Sequence, residues 1–297
     1  MLELAASATT YVADFEPWDI ANIAEARPRW SVVIPFYNER QYLPETIRSL
    51  AAQAEPFQLI LVDNNSTDGS AKVAMATCHE VGIHPILLTE RRPGKVAALQ
   101  TGIEATQTEF VATCDADTLY PVFYLTKATA LLDRPSAVAA IAATSAPSAS
   151  RFKRKMAGLH LAIASRFLPQ QCLNGGAGQV FRTKALKAAG SFDPAIWNWV
   201  LEDHEIMARV ERQGRIAYGA DFLCLPSERP RTGTNVSWGL ADQLRYHVSA
   251  PSSRVAFFHD YLAGRFRQRA LTSDRLRRNA TQNKEKSGLV ALHPLRR

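Results

Sequence analysis

Three features of the sequence predict an α/β fold with a mostly parallel sheet flanked by helices. Short β-branched apolar runs alternate with segments of helical period, each run stops at turn-forming residues, and acidic residues gather just past the run ends. Ser31 to Ile34 is the first such run, stopped by Pro35. Leu43, Ile47, Leu50 and Ala51 then recur at helical spacing, with Pro44 suited to a first turn. Gln58 to Val62 forms the second strand, and the turn formers from Asp63 to Gly69 supply an N-cap for a helix reaching about Val81. Pro85 to Leu88 is a third strand, Gly94 to Thr106 a third helix and Glu109 to Thr113 a fourth strand. Beyond it the pattern changes. Ala137 to Ala143 and Gln179 to Arg182 read as strands, while Arg151 to Phe167 reads as an amphipathic helix with basic residues at its start. Glu202 to Gln213 reads as a helix, Arg254 to Arg278 as an Arg-rich helix, and Asn174 to Gly178 and Ser227 to Gly239 as loops.

Composition narrows the class. With 297 residues, 46% of them hydrophobic, the chain can bury a full core as one large domain or two closely packed lobes, and it is not a disordered chain. Of the net charge of +7, residues 245–297 supply 12 Lys/Arg against Asp260, Asp274 and Glu285, or +9, which leaves −2 for the rest. The basic character thus belongs to a tail. Cys78, Cys114, Cys172 and Cys224 lie far apart without a Cys-x-x-Cys pair, which argues for buried free thiols in a reducing compartment rather than a zinc site or a disulfide framework. Met1-Leu2-Glu3-Leu4 carries an acid where a signal peptide is basic, and no apolar run approaches the roughly 18–20 residues of a membrane span. The expectation is a cytoplasmic protein, soluble or peripheral on the cytoplasmic membrane face.

Ligands of such sheets bind at the carboxyl ends of the strands, where Pro35, Asp63 and Asp115 all fall. In Cys114-Asp115-Ala116-Asp117 two carboxylates can converge where a strand breaks into a loop and hold Mg²⁺ or Mn²⁺ together with substrate phosphates. The same residues could simply cap a turn. Asp63 can accept from a base or ribose, or only close its turn. Arg91-Arg92-Pro93-Gly94-Lys95 sets three cations in a turn before a helix, a phosphate grip or a solvated loop, with Lys95 the foremost candidate. In Leu201-Glu202-Asp203-His204-Glu205, helical spacing places Asp203 on the face of Met207 and Val210, and Glu202 and Glu205 more peripherally. An inward carboxylate whose pKa is raised by desolvation can act as a general base; a carboxylate favoured only by the helix dipole is the alternative. His204 receives no role, and His247 and His259 are further candidate metal ligands.

Taken together these segments resemble the family 2 glycosyltransferases of the GT-A fold. The resemblance rests on Val32-Val33-Ile34-Pro35-Phe36-Tyr37-Asn38-Glu39, Val62-Asp63-Asn64-Asn65-Ser66-Thr67-Asp68-Gly69, Lys95 to Gly102, Asp115-Ala116-Asp117, the Gly-rich loop through Phe181-Arg182, Ser191-Phe192-Asp193 and Glu202-Asp203, in that order over about residues 30–225. It implies inverting transfer of a sugar from a UDP- or GDP-sugar to an acceptor hydroxyl. By that analogy Pro35, Tyr37, Glu39 and Asp63 line the nucleoside site and Lys95 lies near the donor. Asp115 contacts ribose or metal, Asp117 holds a divalent Mg²⁺ or Mn²⁺, and Asp203 deprotonates the acceptor. The implied organisation is an extension over residues 1–29, a nucleotide-sugar-binding subdomain over 30–133, an acceptor and catalytic-base subdomain over 134–250, and a basic helix and tail over 251–297. Where processive relatives carry Gln-x-x-Arg-Trp, this chain has Gln243-Leu244-Arg245-Tyr246. That difference favours adding one sugar, or a few, to a saccharide or lipid-linked acceptor in glycan, exopolysaccharide or glycolipid synthesis.

Arg229 and Arg231 are candidates for a lid closing over the diphosphate. Two other readings stand beside the transferase. One is a haloacid-dehalogenase-like phosphatase with Asp115 as nucleophile. The other is a non-catalytic binder of anionic surfaces, in which Phe257, Phe258, Tyr261, Leu262 and Phe266 form an apolar stripe flanked by Arg265, Arg267 and Arg269. That stripe suits an anionic membrane face and not nucleic acid; a helix packed on the body is its alternative.

Overall fold

The computed structural model describes residues 28–168, 171–229 and 239–272. Its first half is the alternating series the sequence predicts: β1 (Trp30–Phe36), α1 (Leu43–Ala51), β2 (Phe57–Asp63), α2 (Ser70–Glu80), β3 (Ile86–Thr89), α3 (Lys95–Glu104) and β4 (Phe110–Thr113). There follow β5 (Thr118–Leu119), α4 (Tyr124–Leu132), β6 (Ala137–Ile141), β7 (Ala143–Thr144), α5 (Arg151–Phe167), β8 (Gln179–Arg182) and α6 (Thr183–Ala188). The last elements are α7 (Glu202–Val210), β9 (Arg215–Ala217), β10 (Leu223–Pro226), α8 (Leu240–Val248), α9 (Arg254–Ala256) and α10 (Ala263–Arg269), with a π-helical stretch, Phe257–Leu262, joining the last two.

Seven strands form one sheet in the order β3-β2-β1-β4-β8-β6-β9, and β5-β10-β7 form a small second sheet. The pairs β1/β2, β1/β4, β2/β3 and β6/β9 are parallel, whereas β8 runs antiparallel to both β4 and β6. Both faces of the large sheet are covered, as a parallel sheet requires. Side-chain alternation sends Val32, Ile34, Leu59 and Leu61 into one cluster with Leu43, Ile47 and Leu50 of α1. Val33, Ile60 and Val62 enter the opposite cluster, with Leu99 and Ile103 of α3 and Ile206 of α7. Pro44 sits in the first turn of α1, where the amide hydrogen it lacks would have no intrahelical partner.

Three readings need correction. Pro35 does not stop β1, which continues to Phe36. The Val33 carbonyl accepts from the Cys114 amide on the β4 side, and Pro35 faces that side two residues beyond Val33, the last residue of β1 paired with β4, so its missing donor costs no ladder bond. The run Ala137 to Ala143 is split between two sheets, as β6 and β7. The apolar stripe of the C-terminal helix is not a membrane face: Phe257, Phe258, Leu262 and Phe266 are buried against Trp197, Val200 and Tyr246 in a third cluster. Residues 273–278 of the expected helix lie outside the described residues, and among those described no helix is long and apolar enough to cross a membrane.

The inner face of α3 meets the sheet at Gly102, where a Cβ would stand 2.4 Å from Val33 Cγ1 and 3.0 Å from Val62 Cγ2. Replacing it with leucine forces the helix off the sheet, and Gly102→Leu is expected to cost about 2 kcal/mol or more. Thermal melting should read this as a loss of roughly 5 °C in Tm.

Candidate active site

The carboxyl ends of β1, β2 and β4 open into a crevice of about 670 Å³. Pro35, Phe36, Tyr37 and Glu39 reach it from the end of β1, Asn64 from the end of β2, Lys95 from the first turn of α3, and Asp115 to Asp117 from the loop after β4. Gly175 and Gly176, Glu202 at the start of α7, and Ser227 and Arg229 after β10 complete the wall. The loops are braced to one another. Asn38 donates its amide to Ser66 Oγ and accepts from the Thr67 amide, and Thr46 Oγ1 donates to the Ala116 carbonyl.

Lys95 Nζ lies 2.7 Å from Asp115 Oδ1 and 3.6 Å from Glu202 Oε1. Burial would lower the lysine pKa, but Asp115 and Glu202 outweigh it and hold the ammonium charged. Asp117 Oδ2 accepts from Ser227 Oγ at 3.1 Å and lies 3.0 Å from Arg229 Nη2. The same guanidinium donates to both oxygens of Glu39, at 2.9 and 3.0 Å, and lies over the Tyr42 ring. Arg229 thus straddles two carboxylates of the crevice, while Arg231 lies outside the described residues.

Asp203 is set behind this wall, in a small side cavity shared with Lys95, Asp115 and Glu202. Its Oδ1 accepts from the His204 amide at 2.9 Å and lies 3.0 Å from His204 Nδ1, and a Cβ on Gly176 would stand 3.2 Å from Oδ2. Burial pushes its pKa up, but the His204 imidazolium and its hydrogen bonds, with Lys95 beyond, bring it down to about 2. For His204 the balance is the reverse: burial opposes the charge, and contact with Cys172 and Asp203 overcomes it and raises the pKa well above the ordinary value. The expectation of a desolvated, raised Asp203 pKa is therefore corrected by its neighbour.

Glu202, expected at the periphery, stands on the crevice wall instead. Leu201, the N-cap of α7, holds a left-handed conformation (φ 63°, ψ 32°) that turns Glu202 toward Lys95 before the regular helical phase begins. Its pKa is raised by burial, with Lys95 opposing. Glu205 is buried, paired with Arg209 and hydrogen-bonded to His259. His259 and His247 are thus engaged away from the crevice, the latter with Gln171 Oε1 at 2.7 Å.

Asp63 does not reach the crevice wall; its Oδ1 accepts from the Ser66 amide and closes the turn. Asn64 is the wall residue from this strand end, and the sequence offered no signal for it beyond a run of turn formers. Buried, it donates to the Glu90 and Arg92 carbonyls at 2.8 and 2.7 Å and accepts from the Gly94 amide at 2.9 Å. It therefore fixes the loop that delivers Lys95. Of the three cations in that loop only Lys95 lines the crevice; Arg92 turns back onto Glu90 and Gln100.

Among the described residues no three His, Cys, Asp or Glu side chains gather into a metal cage. Asp115 and Asp117 nonetheless present hard carboxylate oxygens on one wall, and Mg²⁺ or Mn²⁺ held by one or two carboxylates takes its remaining ligands from phosphates and water. The donor set fits such an ion.

The glycosyl transferase family 2 model matches residues 31–189, which is 159 of the 297 residues and spans β1 to α6. The chain belongs to glycosyl transferase family 2. Membership in this family sets aside the phosphatase reading. An undecaprenyl-phosphate 4-deoxy-4-formamido-L-arabinose transferase of Salmonella paratyphi A is 36% identical over 96 residues, 31% of this chain and 29% of that protein. The chain thus spans less than a third of the length of the curated relatives it matches. In overall fold this family 2 member resembles the mannosyltransferase PcManGT from Pyrobaculum calidifontis, solved with GDP-Man and Mn²⁺, at a TM-score of 0.60 and 24% identity over 73% of this chain and 62% of that one. It also resembles S. aureus TarS 1-349 in complex with UDP-GlcNAc, at a TM-score of 0.55 and 18% identity over 80% of this chain and 72% of that one. The architecture is that of GT-A glycosyltransferases, a mixed α/β fold with a mostly parallel seven-stranded sheet between helices.

Substituting Asn64 removes buried partners from three backbone groups at once. Asn64→Ala is expected to cost about 3 kcal/mol, lowering Tm by roughly 10 °C. Melting curves and the affinity for a nucleoside diphosphate should both register the loss, because the loop it releases carries Lys95.

Proposed function

We propose that this glycosyltransferase moves a sugar from a UDP- or GDP-sugar to an acceptor hydroxyl with inversion at the anomeric carbon. The observation that carries the proposal is the convergence of Lys95, Asp115, Asp117 and Glu202, from three separate parts of the chain, on one crevice at the strand ends. The relatives solved with GDP-Man and UDP-GlcNAc support the choice of donor class. A saccharide or lipid-linked acceptor, with the addition of one sugar or a few, fits the departure at Gln243-Leu244-Arg245-Tyr246 and the relatives named for an undecaprenyl-phosphate substrate.

In this reading Pro35, Tyr37 and Glu39 bound the nucleoside and Lys95 offsets negative charge on the donor. Asp117, with Asp115, would hold Mg²⁺ or Mn²⁺, which when bound supplies charge neutralisation for the leaving diphosphate. Asp203 accepts the proton of the acceptor hydroxyl as the oxygen forms its bond to the anomeric carbon and the bond to the diphosphate breaks. Arg229 moves from Asp117 toward the diphosphate and excludes water. The enzyme would work in the cytoplasm or at the cytoplasmic membrane face.

Turnover of nucleotide sugars tests the roles. Asp117→Asn should lower kcat/KM by roughly 100-fold and abolish stabilisation by nucleotide with Mn²⁺; retention of both would remove Asp117 from the site. Asp203→Asn should lower kcat by about 1,000-fold while donor affinity persists. A base works only when unprotonated, so activity falls as pH drops through its pKa. With Asp203 brought down to about 2, no acid limb from this group should appear between pH 5 and 8. An acid limb above 4.5 that Glu202→Gln removes would transfer the role to Glu202, whose pKa is raised.

A further inference from the structure

α5 carries five basic residues, Arg151, Lys153, Arg154, Lys155 and Arg166, and no acidic one. Most of them crowd its N-terminal end, where positive charge opposes the helix dipole, so helix stability does not account for them. The helix touches the body along a narrow line. Gly158 is its only buried residue, and a Cβ there would stand 2.0 Å from the Ala220 carbonyl oxygen. On the opposite side Phe152 is 72% exposed, Met156 43%, Leu159 38%, Ile163 47% and Phe167 80%. At 100° per residue these five occupy a sector of about 80°. Exposed Lys153 and His160 border the stripe on one margin, and exposed Arg151, Lys155 and Arg166 on the other.

α8 repeats the pattern at smaller scale. Leu240, Leu244 and Val248, on one face at spacings of four, are 85%, 66% and 74% exposed, with Arg245 and His247 exposed beside them. Its last turn is tied to the segment that follows α5: Gln171 Nε2 donates to the His247 carbonyl, and the Cys172 amide donates to Tyr246 Oη. Soluble monomers seldom leave two such stripes on their surface.

We infer that the outer face of α5, joined by that of α8, is a docking surface for an anionic lipid bilayer. An apolar stripe with Lys and Arg on both margins can bury its aromatic and aliphatic side chains at the headgroup boundary while the cations meet lipid phosphates. A second copy of the chain is the poorer occupant, because a two-fold contact across α5 sets each basic margin against another without a carboxylate on the helix to offset it. The described part of the C-terminal helix offers no such stripe, since Phe257, Phe258, Leu262 and Phe266 are buried. The location is apt. Thr144, just before α5 in the chain, lines the crevice, and Ser148 donates through its amide and Oγ to Glu228, next to Arg229. A bilayer against α5 therefore lies beside the crevice mouth. The docking surface itself needs nothing from the catalytic assignment, and its test contains no activity measurement.

Flotation of the full chain with vesicles of phosphatidylcholine, alone or mixed with phosphatidylglycerol, at low and high salt decides the matter. The wild type should float with the mixed vesicles and retain part of that binding at high salt. The triple variant Phe152→Gln, Ile163→Gln, Phe167→Gln should lose about 10-fold or more in partitioning with Tm unchanged, because the replaced side chains are exposed. Lys153→Glu with Lys155→Glu should abolish the preference for phosphatidylglycerol. Flotation of the triple variant at the wild-type level, as binding by the basic residues after 272 alone would give, overturns the inference. So does a wild type that leaves the mixed vesicles unbound, or one that sediments as a dimer which the triple variant splits.

Discussion

Five carboxylates share one crevice and its side cavity, and their mutual repulsion is the constraint around which the local structure is arranged. Each is matched to a cation. Lys95 stands between Asp115 and Glu202, Arg229 between Glu39 and Asp117, and His204 against Asp203. Glu202 shows the tension: burial, Asp203 and Asp115 raise its pKa, and Lys95 opposes them. The partners come from elements far apart in the chain, so the site exists only when the sheet, α7 and the segment after β10 are all in place. Asn64 and the left-handed Leu201 serve that arrangement, the first by fixing the loop that carries Lys95 and the second by turning Glu202 to meet it.

The cation matching also bears on chemistry. In the proposed reading a diphosphate entering the crevice brings negative charge, and Arg229, which bridges Glu39 and Asp117, would exchange a protein carboxylate for it. Asp203 has its own cation in His204, which with its hydrogen bonds holds the carboxyl below the ordinary carboxylate range.

Most of the first half of the fold was legible because each strand there is a buried parallel strand, whose continuous apolar run is easily read, and each connection is a helix with its own period. Pro35 misled because the length of the neighbouring strand, which decides whether a proline costs a ladder bond, is a tertiary property. The helical phase of Asp203 was read correctly as inward, but the same reading put Glu202 at the periphery, since a wheel carries no information about a residue whose direction is set by the αL turn before it. The C-terminal stripe was visible as amphipathic, but periodicity cannot tell a membrane from Trp197 and Tyr246. Conversely, α5 was read as an amphipathic basic helix, and only the narrow contact at Gly158 revealed which side faces outward. Asp63 and Asn64 are neighbours of similar turn propensity, and the sequence had no means of choosing the one that reaches the wall.

In the proposed reading the crevice of Lys95, Asp115 and Asp117 is the diphosphate site. A crystal structure of the protein soaked with UDP or GDP and Mn²⁺ tests it most directly. The predicted result is a diphosphate beside Lys95, Mn²⁺ on the Asp117 carboxylate, and Arg229 released from Asp117. Nucleotide bound elsewhere on the molecule, with the Arg229 bridge between Glu39 and Asp117 intact, would contradict it.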